Sequence, residues 1–261
     1  MTTNSLGCSK KLTGQKKDEA LFGLPQKFRR KIRECAKEVE KQHTPDVVFL
    51  WVCVGDSGLK PGVKGQQDER QLLTQQEWLT VVDEAASLGA NWFVLSFGVS
   101  LSECDDIWEV CKWAQDVHGM MVGLHVKTAK LMRRDVEKIK QLNLKKTRIL
   151  ARKGALSRLK LREDEKKELI IWSANPQEDG ERPNCQGPTR MIFVNAQGML
   201  YTCGLVEGND AYRMGHVFDH KMKRIMADQN LPHHVHEELH YVTPECDGCP
   251  ALIVNYFSEN M

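Results

Sequence analysis

Apolar residues in this chain form short continuous runs that alternate with longer stretches of helical periodicity. The runs contain few polar residues, as is typical of parallel strands that are buried on both faces. They predict strands at residues 47–54, 91–97, 120–126, 147–151 and 169–172. Strands that alternate with helices form right-handed βαβ units. We therefore expect an α/β fold with a parallel sheet that is open or partly closed into a barrel.

The stretches between these runs have the spacing of amphipathic helices. Thr74 and Glu77 have the spacing of a capping box, and the helix that they begin is expected to end at Gly89. Further helices are expected over residues 25–42, 102–118 and 130–142.

The pattern changes after residue 175. Residues 176–188 are rich in Gly, Pro, Asp and Glu, as in a connection, and residues 191–195 and 199–202 flank Gly198 as the two strands of a hairpin. Three regions are expected: a basic arm with an amphipathic helix at 1–45, a truncated parallel (β/α) region at 46–175, and a small α+β cysteine-rich region at 176–261.

Composition narrows the functional classes. No run approaches the roughly 20 apolar residues of a membrane helix, and the N-terminus has no apolar core of a signal peptide. We therefore expect a cytoplasmic protein, in which the nine cysteines are not paired as disulfides. Residues 127–168 carry 16 Lys and Arg against 6 Asp and Glu, without interleaved aromatic residues. This predicts a solvated basic face rather than a nucleic-acid site.

Four cysteines form the strongest chemical pattern. Cys185 and Cys203 lie at the two ends of the predicted hairpin, with Gly198 at its turn, and Cys246 and Cys249 form a C-x-x-C pair. Because a hairpin brings its ends together, Cys185 and Cys203 can converge despite their separation in the sequence. Four thiolates around one site suit either a zinc ion or an iron–sulfur cluster.

This cysteine pattern resembles the SPASM/twitch extension of radical S-adenosylmethionine enzymes. The shared features are the twelve-residue spacer before Gly198, the four-residue spacer after it, and the later C-x-x-C. The resemblance implies an auxiliary [4Fe–4S] cluster held by Cys185, Cys203, Cys246 and Cys249, with zinc as the alternative. Cys249 is the last cysteine of the chain, which resembles the shorter twitch form with one cluster.

The preceding α/β region resembles the partial barrel of the same family in degenerate form. Active members carry C-x3-C-x2-C after the first strand, whereas this chain retains Cys53 and has Ser57 and Lys60 in the other two places. The Gly-Gly-Glu-Pro motif after the second strand and the Thr-Asn-Gly motif after the third are also absent. Cys53, Ser57, Lys60 and His125 remain candidates for binding a small molecule at the mouth of the barrel.

These features predict an iron–sulfur protein that transfers electrons or supports a partner enzyme, such as a redox or maturation enzyme, without catalysing a radical reaction itself. S-adenosylmethionine is not expected as a cofactor. One alternative is an enzyme that still binds S-adenosylmethionine or another small molecule at the barrel mouth. A second alternative is a zinc-stabilised interaction module.

Two other patterns have simpler interpretations. Residues 236–240 spell H-E-x-x-H, the zinc-hydrolase motif, but no suitable third ligand follows it. A polar helix leading to Cys246 is the preferred interpretation. Cys104 and Cys111 are seven residues apart on a predicted helix, so helix packing accounts for both.

Overall fold

The computed structural model describes residues 47–54, 72–97, 105–126, 131–154, 159, 161–175, 190–228, 230–232 and 249–259. All of them belong to one compact unit, Pro45–Met261. The helix expected at residues 25–42 lies outside the described residues. None of the helices in the described part of the chain is long and apolar enough to cross a membrane.

Eight strands form a single open sheet in the order β5-β4-β3-β2-β1-β6-β7-β8. The first five strands and β6 run parallel, whereas β7 and β8 are antiparallel additions at one edge. The strands are β1 Phe49–Val54, β2 Trp92–Phe97, β3 Met121–Val126, β4 Thr147–Arg152, β5 Ile171–Ala174, β6 Met191–Val194, β7 Met199–Tyr201 and β8 Arg213–His216. The mixed, mostly parallel α/β fold expected from the sequence is therefore confirmed.

Six described α-helices accompany the sheet. They are α1 Gln75–Ser87, α2 Asp105–Asp116, α3 Arg133–Ile139, α4 Glu163–Glu168, α5 Met222–Met226 and α6 Pro250–Glu259. The first three occupy places where the sequence predicts helices, whereas α4, α5 and α6 are not predicted. The start of β5 also differs from the prediction, because Leu169 caps the end of α4 rather than beginning the strand.

The two faces of the sheet have different partners. On one face, side chains such as Leu50, Val52 and Phe93 pack in the same cluster as the apolar residues of α1 and α2. On the opposite face, Trp51 and Cys53 belong to a second cluster that also contains residues of α6. We call this second surface the cysteine face. Strands from both sides of the predicted boundary at residues 175/176 share the sheet, and that boundary stays a prediction.

Helix α6 packs on the cysteine face near β4 and β5. Phe257 stacks on Trp172, with 5.2 Å between the ring centroids and 11° between the planes. The guanidinium carbon of Arg148 lies 5.1 Å from the Trp172 ring centroid. Leu252 and Ile253 are buried in the same cluster. The helix therefore shields this part of the cysteine face from solvent.

Helix α1 begins with the capping box that the sequence predicts. The Glu77 backbone N–H donates to Thr74 Oγ1 (3.4 Å), and the Thr74 backbone N–H donates to Glu77 Oε2 (2.8 Å). We expect Thr74→Ala to lower the free energy of unfolding by about 1 kcal/mol, because the side-chain cap is lost. Urea unfolding measures this difference. Thr80→Ala is the control, since the Thr80 hydroxyl donates only to Gln76 O within the same helix, and an equal effect of both variants would contradict the expectation.

The same capping box predicts a pH dependence of stability. Hydrogen bonds from Thr74 hold the pKa of the Glu77 carboxyl below its ordinary value of 4.5. The native state therefore prefers the carboxylate, and this stabilisation is fully present above pH 4.5 and is lost as the pH falls through the lowered pKa. The wild type should exceed Glu77→Gln in stability at neutral pH and converge with it in acid. Urea unfolding across this range tests the prediction, and a difference that grows in acid would contradict it.

Candidate metal centre

Two of the four predicted ligands, Cys203 and Cys249, lie on the cysteine face. Cys203 follows β7 and is partly buried, and Cys249 directly precedes α6 and is 8% exposed. Both belong to the same apolar cluster. Cys185 and Cys246 lie outside the described residues. Within the described ranges no three metal-ligating side chains form a group, so the complete set of four ligands stays a prediction.

The hairpin formed by β6 and β7 fixes the position of Cys203. Asn195 Oδ1 accepts hydrogen bonds from the backbone N–H groups of Gln197 (3.1 Å) and Met199 (2.9 Å). Gly198 has φ +82°, a conformation that favours glycine at the turn. Phe193 pairs with Tyr201, and extending this register places Met191 opposite Cys203. The predicted hairpin is confirmed, and it brings the start of β6 beside Cys203.

Each of the other two cysteines lies close in the sequence to a described part of the cysteine face. Cys185 precedes the start of β6 by six residues, and Cys246 precedes Cys249 by three. Extended chain covers up to about 3.5 Å per residue, so these segments span up to about 21 Å and about 10 Å. Cys185 can therefore reach the start of β6 beside Cys203, and Cys246 can reach the surroundings of Cys249.

A buried threonine ties together the segments around Cys203. The Thr202 side chain is 1% exposed, and its hydroxyl contacts the carbonyl oxygens of Tyr212 (3.3 Å) and Pro232. Tyr212 precedes β8, and Pro232 lies at the start of the segment that leads to Cys246. Thr202 thus joins the loop of one predicted ligand to the chain that carries another.

Burial disfavours charge on both faces of the sheet. Desolvation raises the pKa of the Tyr201 hydroxyl, which lies on the cysteine face two residues before Cys203. Desolvation also raises the pKa of the Cys111 thiol, which is fully buried against the helices on the opposite face. Cys111 is therefore a core residue, and helix packing accounts for it as expected, whereas Cys104 lies outside the described residues.

A second polar group lies on the cysteine face near the carboxyl ends of the parallel strands. Cys53 pairs in register with Ser96, and Ser96 pairs with His125, so the three residues form one row across β1, β2 and β3. All three residues are buried. Ser96 Oγ lies 2.6 Å from His125 Nδ1 and accepts a hydrogen bond from Trp51 Nε1 (2.7 Å).

The structure thus places Cys53 and His125, two of the four candidates for the barrel mouth, in the same row with Ser96 between them. Ser57 and Lys60 lie outside the described residues, as does the H-E-x-x-H segment at 236–240. Sequence reasoning missed Ser96 in this row and Trp51, which donates a hydrogen bond to it. The signal was the single polar residue in the otherwise apolar β2 sequence WFVLSF, but its two partners are 29 and 45 residues away in sequence.

Comparisons with known proteins agree with the cysteine pattern. Residues 185–250 match the family model SPASM, described as an iron-sulfur cluster-binding domain. No curated protein matches the chain.

The solved structures that resemble the chain include those of Streptococcus suis SuiB. The crystal structure of SuiB has a TM-score of 0.47 and 9% identity, with 83% of this chain and 76% of SuiB covered. SuiB bound to the precursor peptide SuiA gives 0.46 and 9%, with 80% and 72% covered. SuiB bound to S-adenosylmethionine gives 0.47 and 11%, with 83% and 76% covered.

The family match begins at Cys185, contains Cys203 and Cys246, and ends one residue after Cys249. All four cysteines singled out by their spacing therefore fall within it. The resemblance inferred from the sequence is confirmed for this region, because residues 185–250 match the model of an iron–sulfur cluster-binding domain.

Proposed function

We propose that the chain binds one [4Fe–4S] cluster through Cys185, Cys203, Cys246 and Cys249. The observation that carries this proposal is the position of Cys203 and Cys249 in one apolar cluster on one face of the sheet. Both residues lie within the SPASM match, although 45 residues lie between them in the sequence. The donor set is entirely thiolate, which is the ligand type that iron–sulfur clusters prefer.

The surroundings of the two described cysteines fit a buried cluster. Met199, Tyr201 and Val206 belong to the same apolar cluster, and Leu252 and Ile253 of α6 belong to it as well. Such a shell limits the access of water and oxidants to a metal centre and influences its reduction potential. Zinc remains the alternative metal for four thiolates, but the iron–sulfur description of the matched family favours the cluster.

The role that we propose is electron transfer or support of a partner protein. When bound, a cluster of this type supplies one-electron oxidation and reduction. Residues 53–60 retain one cysteine where active radical enzymes of the resembled family have three, so this loop lacks the ligands for a second, catalytic cluster. The chain's own residues hold the cluster through four thiolates, exclude water from it and fix it against the sheet. A cluster without its own catalytic site requires a redox partner or a client enzyme.

Metal content tests the cluster proposal directly. Protein isolated without oxygen should be brown and contain about four iron and four sulfide per chain. Cys203→Ser and Cys249→Ser should each lose most of the iron, because three cysteine ligands hold a cubane poorly. Cys111→Ala is the matched control and should retain it, since Cys111 packs among helices on the opposite face. Colourless protein with one zinc per chain would contradict the proposal and support the interaction module.

A second candidate function is supported by the row of Cys53, Ser96 and His125. Buried polar side chains at the carboxyl ends of parallel strands are characteristic of ligand sites in α/β folds. If the chain is an enzyme, a small molecule would bind at this row, and the family resemblance suggests S-adenosylmethionine as that ligand.

Isothermal titration calorimetry with S-adenosylmethionine separates the two functions. The electron-transfer role predicts no binding at millimolar concentration. Under the enzyme reading, binding should be seen, and His125→Ala should weaken it at least tenfold, whereas His118→Ala should not. His118 is the control because it lies beyond the end of α2 and contacts Asp83 on helix α1.

A further inference from the structure

The loop that carries Cys203 rests directly on the ring of Trp51. A Cβ atom added to Gly204 would lie 2.6 Å from Trp51 Cη2 and 2.8 Å from Phe193 Cε2. Real Cβ atoms essentially never show contacts below 3.0 Å. Gly204 therefore allows an approach of the loop backbone that no other residue permits. The six-membered part of the Trp51 ring and the edge of Phe193 form the surface beneath the loop.

Trp51 is itself fixed by a hydrogen bond at the neighbouring edge of its ring. The indole Nε1–H donates to Ser96 Oγ at 2.7 Å. Nε1 and Cζ2 are bonded to the same ring carbon, and Cζ2 is one of the atoms that face Gly204, at 2.8 Å from the added Cβ. A rotation of the ring that broke the hydrogen bond would also move the surface on which the loop rests. Phe193 meets the ring edge-on, with 5.1 Å between centroids, and limits such a rotation.

His125 completes this arrangement. Because the indole N–H can only donate, Ser96 Oγ accepts from Trp51 and has its own proton available for His125 Nδ1, 2.6 Å away. This geometry favours the neutral histidine tautomer that is protonated on Nε2. The His125 ring also meets Trp51 edge-on, with 6.1 Å between centroids. All three side chains are buried, so loss of any hydrogen bond leaves a polar atom without water.

We propose that Trp51 and Ser96 are positioning residues for Cys203. The hydrogen bonds that link Trp51, Ser96 and His125 hold the indole ring on which the Cys203 loop rests. These hydrogen bonds thus couple the carboxyl end of β3 to the metal centre. Its effect on the cluster rests on the function proposed above, whereas the seating of the loop does not. By reciprocity, a change at the cysteine loop also changes the hydrogen bonding at Ser96 and His125.

The test variant is Ser96→Ala, because Ser96 accepts the hydrogen bond of the Trp51 indole and is not among the atoms nearest to a Cβ added at Gly204. Ser173→Ala is the matched control. Ser173 lies on β5 of the same sheet, and its Oγ has no hydrogen-bond partner in the described part of the chain. Both variants remove one hydroxyl from a strand of the same sheet, but only the first removes the acceptor for Trp51.

The first measurement uses the apoprotein and does not depend on the cluster. In ¹H–¹⁵N spectra, Ser96→Ala should shift the Trp51 indole signal and also the backbone amide signals of Cys203 and Gly204. Ser173→Ala should leave all three unchanged. Unchanged Cys203 and Gly204 signals in Ser96→Ala would overturn the proposal, whether or not the protein binds iron.

The second measurement uses the cluster-loaded protein. Ser96→Ala should lose iron to a chelator about tenfold faster than the wild type, the effect expected of one unsatisfied buried donor. It should also alter the EPR spectrum of the reduced cluster, which a general loss of stability would not do. Wild-type kinetics and spectrum in Ser96→Ala would overturn the proposal while leaving the cluster function intact. A wild type without iron would instead overturn the cluster function, and the apoprotein spectra would still decide on the seat.

Discussion

The parallel pairing of β1 with β6 is the contact on which the rest of the structure depends. It places Trp51 beside Phe193 and joins two parts of the chain that are about 140 residues apart. β1 pairs with β2 on its other side, so it is a central strand that connects the α/β units to the hairpin carrying Cys203. Without this pairing, the hairpin would lose its fixed position relative to the parallel sheet.

The two faces of the sheet divide the tasks of stability and chemistry. One face packs against helices through a continuous apolar cluster that includes Leu50, Phe93 and Trp108. The other face carries both described cysteines of the proposed metal centre and the Ser96–His125 pair, and α6 covers part of it. Strand alternation produces this division, because successive side chains point to opposite faces. An iron–sulfur cluster bound on the cysteine face would lie against a surface whose position is set by the apolar core on the opposite face.

The proposed function agrees with what the chain has kept and what it lacks. The SPASM match covers a quarter of the sequence and contains four cysteines, whereas residues 53–60 contain one cysteine where the radical enzymes that the chain resembles have three. The buried row of Cys53, Ser96 and His125 is nevertheless organised, because Ser96 forms hydrogen bonds with both Trp51 and His125. We interpret this row as support for the metal centre, with ligand binding as the competing explanation.

The sequence by itself determined the features that depend on neighbouring residues. The apolar runs predicted the strands to within two residues, Thr74 and Glu77 predicted the start of α1, and Gly198 predicted the hairpin turn. Cysteine spacing indicated the iron–sulfur domain that the family model also matches in the C-terminal region. The tertiary structure decided what depends on distant contacts. Helix α6 was not predicted, because its ALIV sequence has no helical alternation and packs against a sheet and aromatic rings. The roles of Ser96 and Gly204 also emerged only from the fold, since strand pairing and loop packing bring their partners to them from other elements.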